Sequence, residues 1–150
     1  MRWKELFAAI IICQLAGIIG SAFTLDSIPS WYATLSKPVF SPPNWVFGPV
    51  WTTLYAMMGV AAYIIYEAKR NEALKPFAIQ LGLNAAWSIV FFGLRSPLGG
   101  LFVIALLWLA IAWTIFEFLK VSRAAAYLLI PYLFWVTFAS ALNYFIWALN

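Results

Sequence analysis

The sequence contains no histidine, only one cysteine and very few charged residues. Charged residues make up 9% of its 150 positions, against about 25% in a typical soluble domain. A chain this poor in charge cannot cover a folded surface with polar groups, so its composition indicates an integral membrane protein. The absence of histidine removes the most common metal ligand, general base and haem axial ligand. The lone Cys13 cannot form an intramolecular disulfide.

The few carboxylates exclude several classes of enzyme. Glu5, Glu67 and Glu117 lie near the ends of apolar runs, and Asp26 begins a loop. They form neither a carboxylate pair nor a metal-ligand cluster, and no glycine-rich phosphate-binding loop is present. We therefore expect no hydrolase, kinase or redox-metal chemistry, and no required metal or cofactor. The net charge of +4 does not indicate nucleic-acid binding, because the basic residues flank the apolar runs.

Apolar residues make up 65% of the chain and form five runs. Each run has about the 20 residues that are needed to cross the hydrocarbon core of a bilayer. The runs cover approximately residues 6–25, 44–66, 76–94, 98–119 and 124–149. Three of the connections are short, which implies antiparallel neighbours. The sequence thus predicts one all-α domain, a five-transmembrane-helix bundle, with a long loop at residues 26–43, here called the lid loop. The first run is too long for the core of a signal peptide and lacks a convincing cleavage site, so we expect it to be retained.

The basic residues predict how the bundle is oriented. Lys37 and Arg95 lie on one side of the predicted membrane, and the other seven Lys and Arg lie on the side of the N-terminus. Those seven are Arg2, Lys4, Lys69, Arg70, Lys75, Lys120 and Arg123. Because positive residues are enriched in cytoplasmic segments, we expect a multi-pass protein of the cell membrane with a cytoplasmic N-terminus. The lid loop and the C-terminus would then lie outside.

Proline and small residues mark particular points along the spans. Pro42-Pro43 suits the first turn of the second helix, with Ser41 as its N-cap. Pro131 removes the amide that would bond the carbonyl of Tyr127, which predicts a kink in the fifth helix; whether that kink has a role stays open.

Two stripes of small residues allow close helix contacts, within a subunit or between subunits: Ala9, Cys13, Gly17 and Ser21 in the first span, and Ala78, Gly82 and Ala86 in the third.

Aromatic residues carry the signal for a binding site. Many tryptophans in membrane proteins lie at the interfaces or face lipid, which is the alternative interpretation here. However, three helical faces combine aromatic with polar or small residues at similar depths: Trp51 with Tyr55, Asn84 with Trp87, Ser88 and Phe91, and Trp135 with Phe138, Ala139 and Leu142. Together they predict one cavity in the outer half of the bundle, covered by Trp31, Tyr32, Lys37 and Phe40 of the lid loop. Such a cavity suits a large, planar, apolar ligand.

Three blocks of sequence resemble a known family. They are FSPPNWVFGPVWTTLY (residues 40–55), LNAAWSIVFF (83–92) and PYLFWVTFASALNYFIW (131–147). In this order they resemble the tryptophan-rich sensory protein family (TspO/MBR), whose animal members are the translocator or peripheral benzodiazepine receptor proteins. The resemblance covers essentially the whole chain and indicates a bacterial-type member.

The resemblance implies specific ligands and a homodimer. Members of the family bind tetrapyrroles such as protoporphyrin IX, and isoquinoline and benzodiazepine compounds. It implies that Trp51 and Asn84 are hydrogen-bond donors, and that the third-helix stripe Ala78, Gly82 and Ala86 is the dimer contact. Residues of the expected ligand-binding set come from these matches and from the faces above: Tyr32, Lys37, Trp51, Tyr55, Asn84, Trp87, Ser88, Trp135, Phe138, Ala139 and Leu142. The family's cholesterol pattern is incomplete, since Leu142 and Tyr144 match but no Lys or Arg follows, and this argues against cholesterol.

The leading functional hypothesis is a membrane protein that binds or senses porphyrins and promotes their light-dependent oxidative degradation. Trp51 and Trp135 would then shape or quench the excited ring, and no acid–base residue would be required. The alternatives are a transporter of porphyrins or other lipophilic molecules, and a regulatory partner protein. The sequence does not distinguish an enzyme from a transporter or a sensor, nor does it identify the physiological tetrapyrrole.

Overall fold

The computed structural model describes residues 1–150 and contains five long helices and no strand. They are α1 (Trp3–Thr24), α2 (Asn44–Glu67), α3 (Asn71–Gly93), α4 (Pro97–Leu119) and α5 (Arg123–Leu149), and each is long and apolar enough to cross a membrane. The predicted all-α bundle of five membrane-spanning helices is confirmed. The largest difference in boundaries is at α3, which begins at Asn71 and not near residue 76. A 3-10 turn at Asn71–Ala73 precedes the α-helix, and Pro76 lies in the first turn that follows, where proline is tolerated.

The helices pack in the ring order α1, α2, α5, α4, α3, and α3 closes the ring against α1. The seven basic residues named above lie at the end of the bundle that carries the N-terminus, here called the basic end; the other is the lid end. α2 packs against the first segment of α5, Arg123–Leu128, but makes few close backbone contacts with Ile130–Leu149. The bundle is therefore tightly packed at the basic end, whereas the backbones of α2 and α5 lie farther apart at the lid end and aromatic side chains fill the space between them.

Small residues bring α1 and α2 into close contact. A Cβ atom at Gly59 would lie 2.5 Å from the Ile10 Cα atom, and one at Gly17 would lie 2.5 Å from the ring of Tyr55. The α1 stripe thus packs inside the bundle, with Cys13 buried at its centre. The α3 stripe differs, because Ala78 and Gly82 are exposed and nothing lies within 4 Å of a Cβ atom at Gly82.

Prolines determine where α5 is interrupted and where α2 begins. α5 is interrupted at Leu129, between Arg123–Leu128 and Ile130–Leu149, next to Pro131, as the missing amide predicts. The predicted N-cap at Ser41 is wrong. Helical structure begins only at Asn44, after an extended Pro43 with ψ of 146° and no side-chain cap. A residue that precedes proline is disfavoured in helical conformation, so Pro42 stays outside the helix and Ser41 is too far from its first amides.

Candidate functional site

A cavity of about 450 Å³ occupies the lid end of the bundle. It lies between α1, α2, α3 and α5 under the first part of the lid loop, and α4 contributes nothing to its walls. No Asp, Glu, Lys or Arg lines it. Its size falls within the range of small-molecule sites, which are mostly apolar with a few placed polar groups.

One wall is an aromatic cluster on α2 and α5. Phe47, Trp51 and Tyr55 follow one another at intervals of four residues and therefore share a face of α2. The rings of Trp51 and Tyr55 are stacked with centroids 5.6 Å apart. Trp135 of α5 meets Trp51 edge to face at 6.4 Å and Phe47 at 6.1 Å. The predicted pair Trp51 and Trp135 is thus brought together at the cavity.

The opposite wall is built by Trp87 and Phe91 of α3, whose rings are stacked at 5.2 Å. The Trp87 indole N–H donates to the Oδ1 atom of Asn143 at 3.0 Å, and the Asn143 amide donates to the carbonyl of Pro97 at 2.8 Å. These two bonds fix the orientation of the Trp87 indole. Asn143 lines the cavity as well, and it was missed in the sequence. The sequence alone could have indicated Asn143, because a polar residue at membrane depth, one turn after Ala139 on α5, is expected to face the interior of the bundle.

Trp135 carries the one buried side-chain polar atom that has no hydrogen-bond partner, its Nε1. Buried donors are nearly always paired, and an unpaired one costs about 1–3 kcal/mol. Trp135 lines the cavity, but its Nε1 atom is itself buried, so this N–H can donate to a ligand only when the indole or a neighbouring side chain moves.

A buried polar network lies beneath the aromatic wall. The Tyr55 hydroxyl donates to Oδ1 of Asn84, and the Asn84 amide donates to the Tyr132 hydroxyl at 2.7 Å. Tyr132 donates in turn to Gln80 at 2.7 Å, and Gln80 lies 3.8 Å from the sulfur of Met58. Both polar groups of Asn84 are therefore engaged within the protein, and Asn84 does not reach the cavity. Gln80 and Tyr132 were missed, although Gln80 lies one turn before Asn84 on the same face of α3.

The lid loop is held over the cavity by bonds at both of its halves. The Ser27 hydroxyl donates to the carbonyl of Phe92 at 2.6 Å. This carbonyl is free because α3 ends in a π-helical turn at Ile89–Gly93, after which the chain turns away, with Arg95 at a φ of 53°. Further along, the Ser36 amide donates to the Asn150 side chain at 3.1 Å, and Asn150 donates back to the Ser36 carbonyl at 2.8 Å.

Two of the residues predicted to bind ligand, Lys37 of the lid loop and Phe138 of α5, lie outside the cavity. The Lys37 ammonium donates to the Leu35 carbonyl at 3.2 Å and lies 4.6 Å from the ring centroid of Tyr32. Phe138 packs against Phe40 of the loop, with centroids 6.0 Å apart. Tyr32 itself is buried and lines the cavity, and this burial raises the pKa of its phenol.

Of the eleven predicted ligand-binding residues, the structure brings eight to the cavity. They are Tyr32, Trp51, Tyr55, Trp87, Ser88, Trp135, Ala139 and Leu142. Asn84 lies below it, and Lys37 and Phe138 lie beside it. The wall from α1, which includes Gln14, Gly17 and Ser21, was missed, because α1 carries no tryptophan or tyrosine near the lid end.

Comparisons with known proteins agree with this architecture. The sequence pattern of the TspO/MBR family matches residues 9–148. Over its whole length the chain is 46% identical to the tryptophan-rich protein TspO of Archaeoglobus fulgidus, of which it covers 99%. It is 48% identical to the protein of the same name from Chlorobaculum tepidum, over 93% of this chain and 91% of the relative. It is 38% identical to the translocator protein of Homo sapiens, over 99% of this chain and 91% of the relative. With its five helices and tryptophan-lined cavity, the chain belongs to the TspO/MBR family.

Proposed function

We propose that the cavity binds a metal-free tetrapyrrole such as protoporphyrin IX, and that the protein promotes its light-dependent oxidative breakdown. The observation that carries this proposal is the combination of two aromatic walls, an uncharged lining and the unpaired indole N–H of Trp135. Flat rings on both sides suit a planar macrocycle, and an N–H donor suits its polar groups.

The reaction would use the reactivity of the ligand itself. The excited porphyrin reacts with dissolved oxygen, which is the oxidant, so the protein needs no acid or base. Its contribution would be to hold the ring in one orientation against Trp51 and Trp135, whose indoles are electron-rich and in contact. These side chains would shape the reaction or quench the excited state.

Product analysis after illumination tests the proposal. Purified protein with protoporphyrin IX is illuminated in air, and the pigments are followed by absorbance and mass spectrometry. We expect a product that forms with the protein and not with protein-free detergent micelles, in the dark or without oxygen. The same products at the same rate in micelles alone would contradict a role of the protein in the reaction.

The alternative is the movement of porphyrins across the bilayer, as the name of the human relative suggests for that protein. In this structure the cavity is confined to the lid end. Met58, Ile65 and Phe118 are fully buried in the core on the other side of the polar network. A carrier would therefore need a second conformation that opens the basic end. Porphyrin flux into sealed vesicles, measured in the dark, distinguishes this function from degradation.

The absence of histidine leads to a prediction about haem. Haem iron would find neither its usual ligand, histidine, nor any charged group among the residues that line the cavity. We expect protoporphyrin IX to bind at least as tightly as haem, as measured by quenching of tryptophan fluorescence. An absorption spectrum of bound haem with two strong axial ligands would contradict this expectation.

Lys37, one of the two basic residues at the lid end, is our candidate partner for a porphyrin propionate. It lies in the lid loop beside Tyr32 but outside the cavity, and ion pairs at exposed sites contribute only about 0–1 kcal/mol. We expect Lys37→Ala to weaken protoporphyrin binding by at most about fivefold and to leave a neutral isoquinoline ligand unaffected. If both ligands lose affinity equally, the lysine supports the loop and does not pair with the propionate.

We further propose that α3 forms a homodimer contact through Ala78, Gly82 and Ala86. A Cβ atom at Gly82 would meet nothing within 4 Å, so Gly82→Leu should fold normally and yet obstruct close helix–helix approach. We expect this variant to be monomeric in cross-linking and light-scattering measurements. Gly48→Leu is the matched control, because Gly48 is equally unobstructed but lies on α2. Dimers that persist in Gly82→Leu would place the contact elsewhere.

The distribution of charge supports an orientation with the basic end in the cytoplasm and the lid loop outside. This topology can be tested in intact cells. A protease site or a cysteine introduced into the lid loop should be accessible to a protease or to an impermeant thiol reagent added outside.

A further inference from the structure

The cavity is not closed on all sides. Six of its lining residues are exposed to the surroundings of the protein, and all six lie at the end of α1 or the beginning of α2: Ile18, Leu25, Asn44, Trp45, Gly48 and Thr52. The lining residues on α3 and α5 are buried or half-buried. The mouth of the cavity is therefore a lateral gap between α1 and α2, here called the α1–α2 seam.

Packing explains why the seam opens at the lid end. The two helices approach most closely near the basic end, where Gly59 admits the backbone of Ile10. Towards the lid end Gln14 donates its amide to the carbonyl of Thr52 at 3.0 Å. Beyond that bond no hydrogen bond joins the side chains of α1 and α2, and a Cβ atom at Gly48 would find nothing within 4 Å. The helices thus separate on the lid side of this bond and of the contact between Gly17 and Tyr55.

The α1 border of the seam is apolar, whereas the α2 border also carries the polar Asn44 and Thr52. Ile18 and Ile19 are 60% and 52% exposed on α1, within a helix long enough to span the membrane. A gap bordered by such residues faces the hydrocarbon of the bilayer. The aqueous side is obstructed by comparison, because Ser27, Tyr32 and the Ser36–Asn150 pair hold the lid loop down.

We propose that the ligand reaches the cavity from within the membrane, through the α1–α2 seam on the lid side of the Gln14–Thr52 bond, and not through the lid loop. This inference rests on the proposed function, which assigns a ligand to the cavity. The class of ligand that fits this route is a planar, lipid-soluble molecule already dissolved in the bilayer. Tight closure of the lid loop would then be compatible with rapid exchange of ligand.

The test measures access to the cavity without relying on any porphyrin. Ala139 is a buried wall residue, and Ala139→Cys, in a Cys13→Ala background, places a thiol in the cavity. Protein in vesicles is treated with a membrane-partitioning maleimide or with a sulfonated, impermeant one. Rates are normalised to Val39→Cys, a fully exposed position of the lid loop. After normalisation, we expect the lipid-soluble maleimide to label the cavity thiol roughly tenfold faster than the sulfonated maleimide does, because partitioning into the bilayer concentrates it at the seam.

Two further substitutions distinguish the routes. Gly48→Leu, which narrows the seam without a clash, should slow labelling by the lipid-soluble reagent several-fold, while Gly82→Leu on the far face of α3 should not. Asn150→Ala, which removes both bonds to Ser36, should leave the rates unchanged. Fast labelling by the sulfonated reagent, acceleration by Asn150→Ala, or no effect of Gly48→Leu would overturn the proposal. Porphyrin affinity, measured on the same variants, reports on the proposed function separately.

Discussion

Gly59→Leu is expected to prevent α1 and α2 from packing. A Cβ atom at this position would lie 2.5 Å from the Cα atom and 2.8 Å from the backbone nitrogen of Ile10. Because the obstacle is backbone and not a flexible side chain, the helices must move apart. Such overpacking commonly costs about 1–3 kcal/mol, and more when backbone must shift. We expect a loss of at least about 3 kcal/mol, visible as a large fall in the midpoint of thermal unfolding in detergent.

The matched control lies on the same helix. Gly48→Leu introduces the same side chain where a Cβ atom has nothing within 4 Å, so its unfolding midpoint should remain close to that of the unchanged protein. Gly59→Ala should be intermediate, since alanine adds only the Cβ atom. A Gly59→Leu protein with an unchanged midpoint would show that α1 is not packed against α2 as described here.

Trp135→Phe is expected to have opposite effects on stability and on binding. In the unliganded protein the indole N–H is buried without a partner, so its removal should leave the unfolding midpoint unchanged or raise it. If a bound porphyrin accepts from this N–H, the variant loses one neutral hydrogen bond, which is worth about 0.5–1.5 kcal/mol. Affinity should then fall roughly two- to twelvefold, as measured by fluorescence quenching.

Illumination extends the comparison to Trp51. Its ring meets those of Tyr55 and Trp135 at the cavity wall, so Trp51→Phe should also alter the rate or the products of porphyrin breakdown. Trp113→Phe is the control, because Trp113 lies on α4, which does not line the cavity, and it should change neither. Unchanged affinity and products in both cavity variants would move the binding site elsewhere.

The helices and most of the aromatic walls could be predicted because their signals are local. Runs of apolar residues define the spans, and the spacing of Trp51 and Tyr55, or of Trp87 and Ser88, places each pair on one face. The pairing of Trp87 with Asn143 could not be predicted, since it joins α3 to α5 and depends on how the two helices are rotated. The same holds for Asn84, whose polarity predicted an interior position correctly. Which partner it meets, Tyr132 or a ligand, is decided by the tertiary packing.

The cavity wall from α1 could not be predicted from the sequence for a different reason. Gly17 and Ser21 line the cavity through the space that they leave, and small residues give the same sequence signal whether they allow close packing or border a gap. Lys37 was expected at the mouth because of its charge, but its ammonium is held by the Leu35 carbonyl and the Tyr32 ring. Both cases depend on loop and helix geometry that no periodicity encodes.

The bond between Ser27 and the Phe92 carbonyl has a consequence for how these proteins can vary. The carbonyl is available because α3 ends at Gly93 and the chain then turns away, with Arg95 in the left-handed conformation at a φ of 53°. Without a hydroxyl at position 27 this carbonyl would lose its buried donor, and an unpaired buried polar group costs about 1–3 kcal/mol. A hydroxyl-bearing residue should therefore persist at position 27 among relatives, because it pairs with a main-chain carbonyl 65 residues further along the chain.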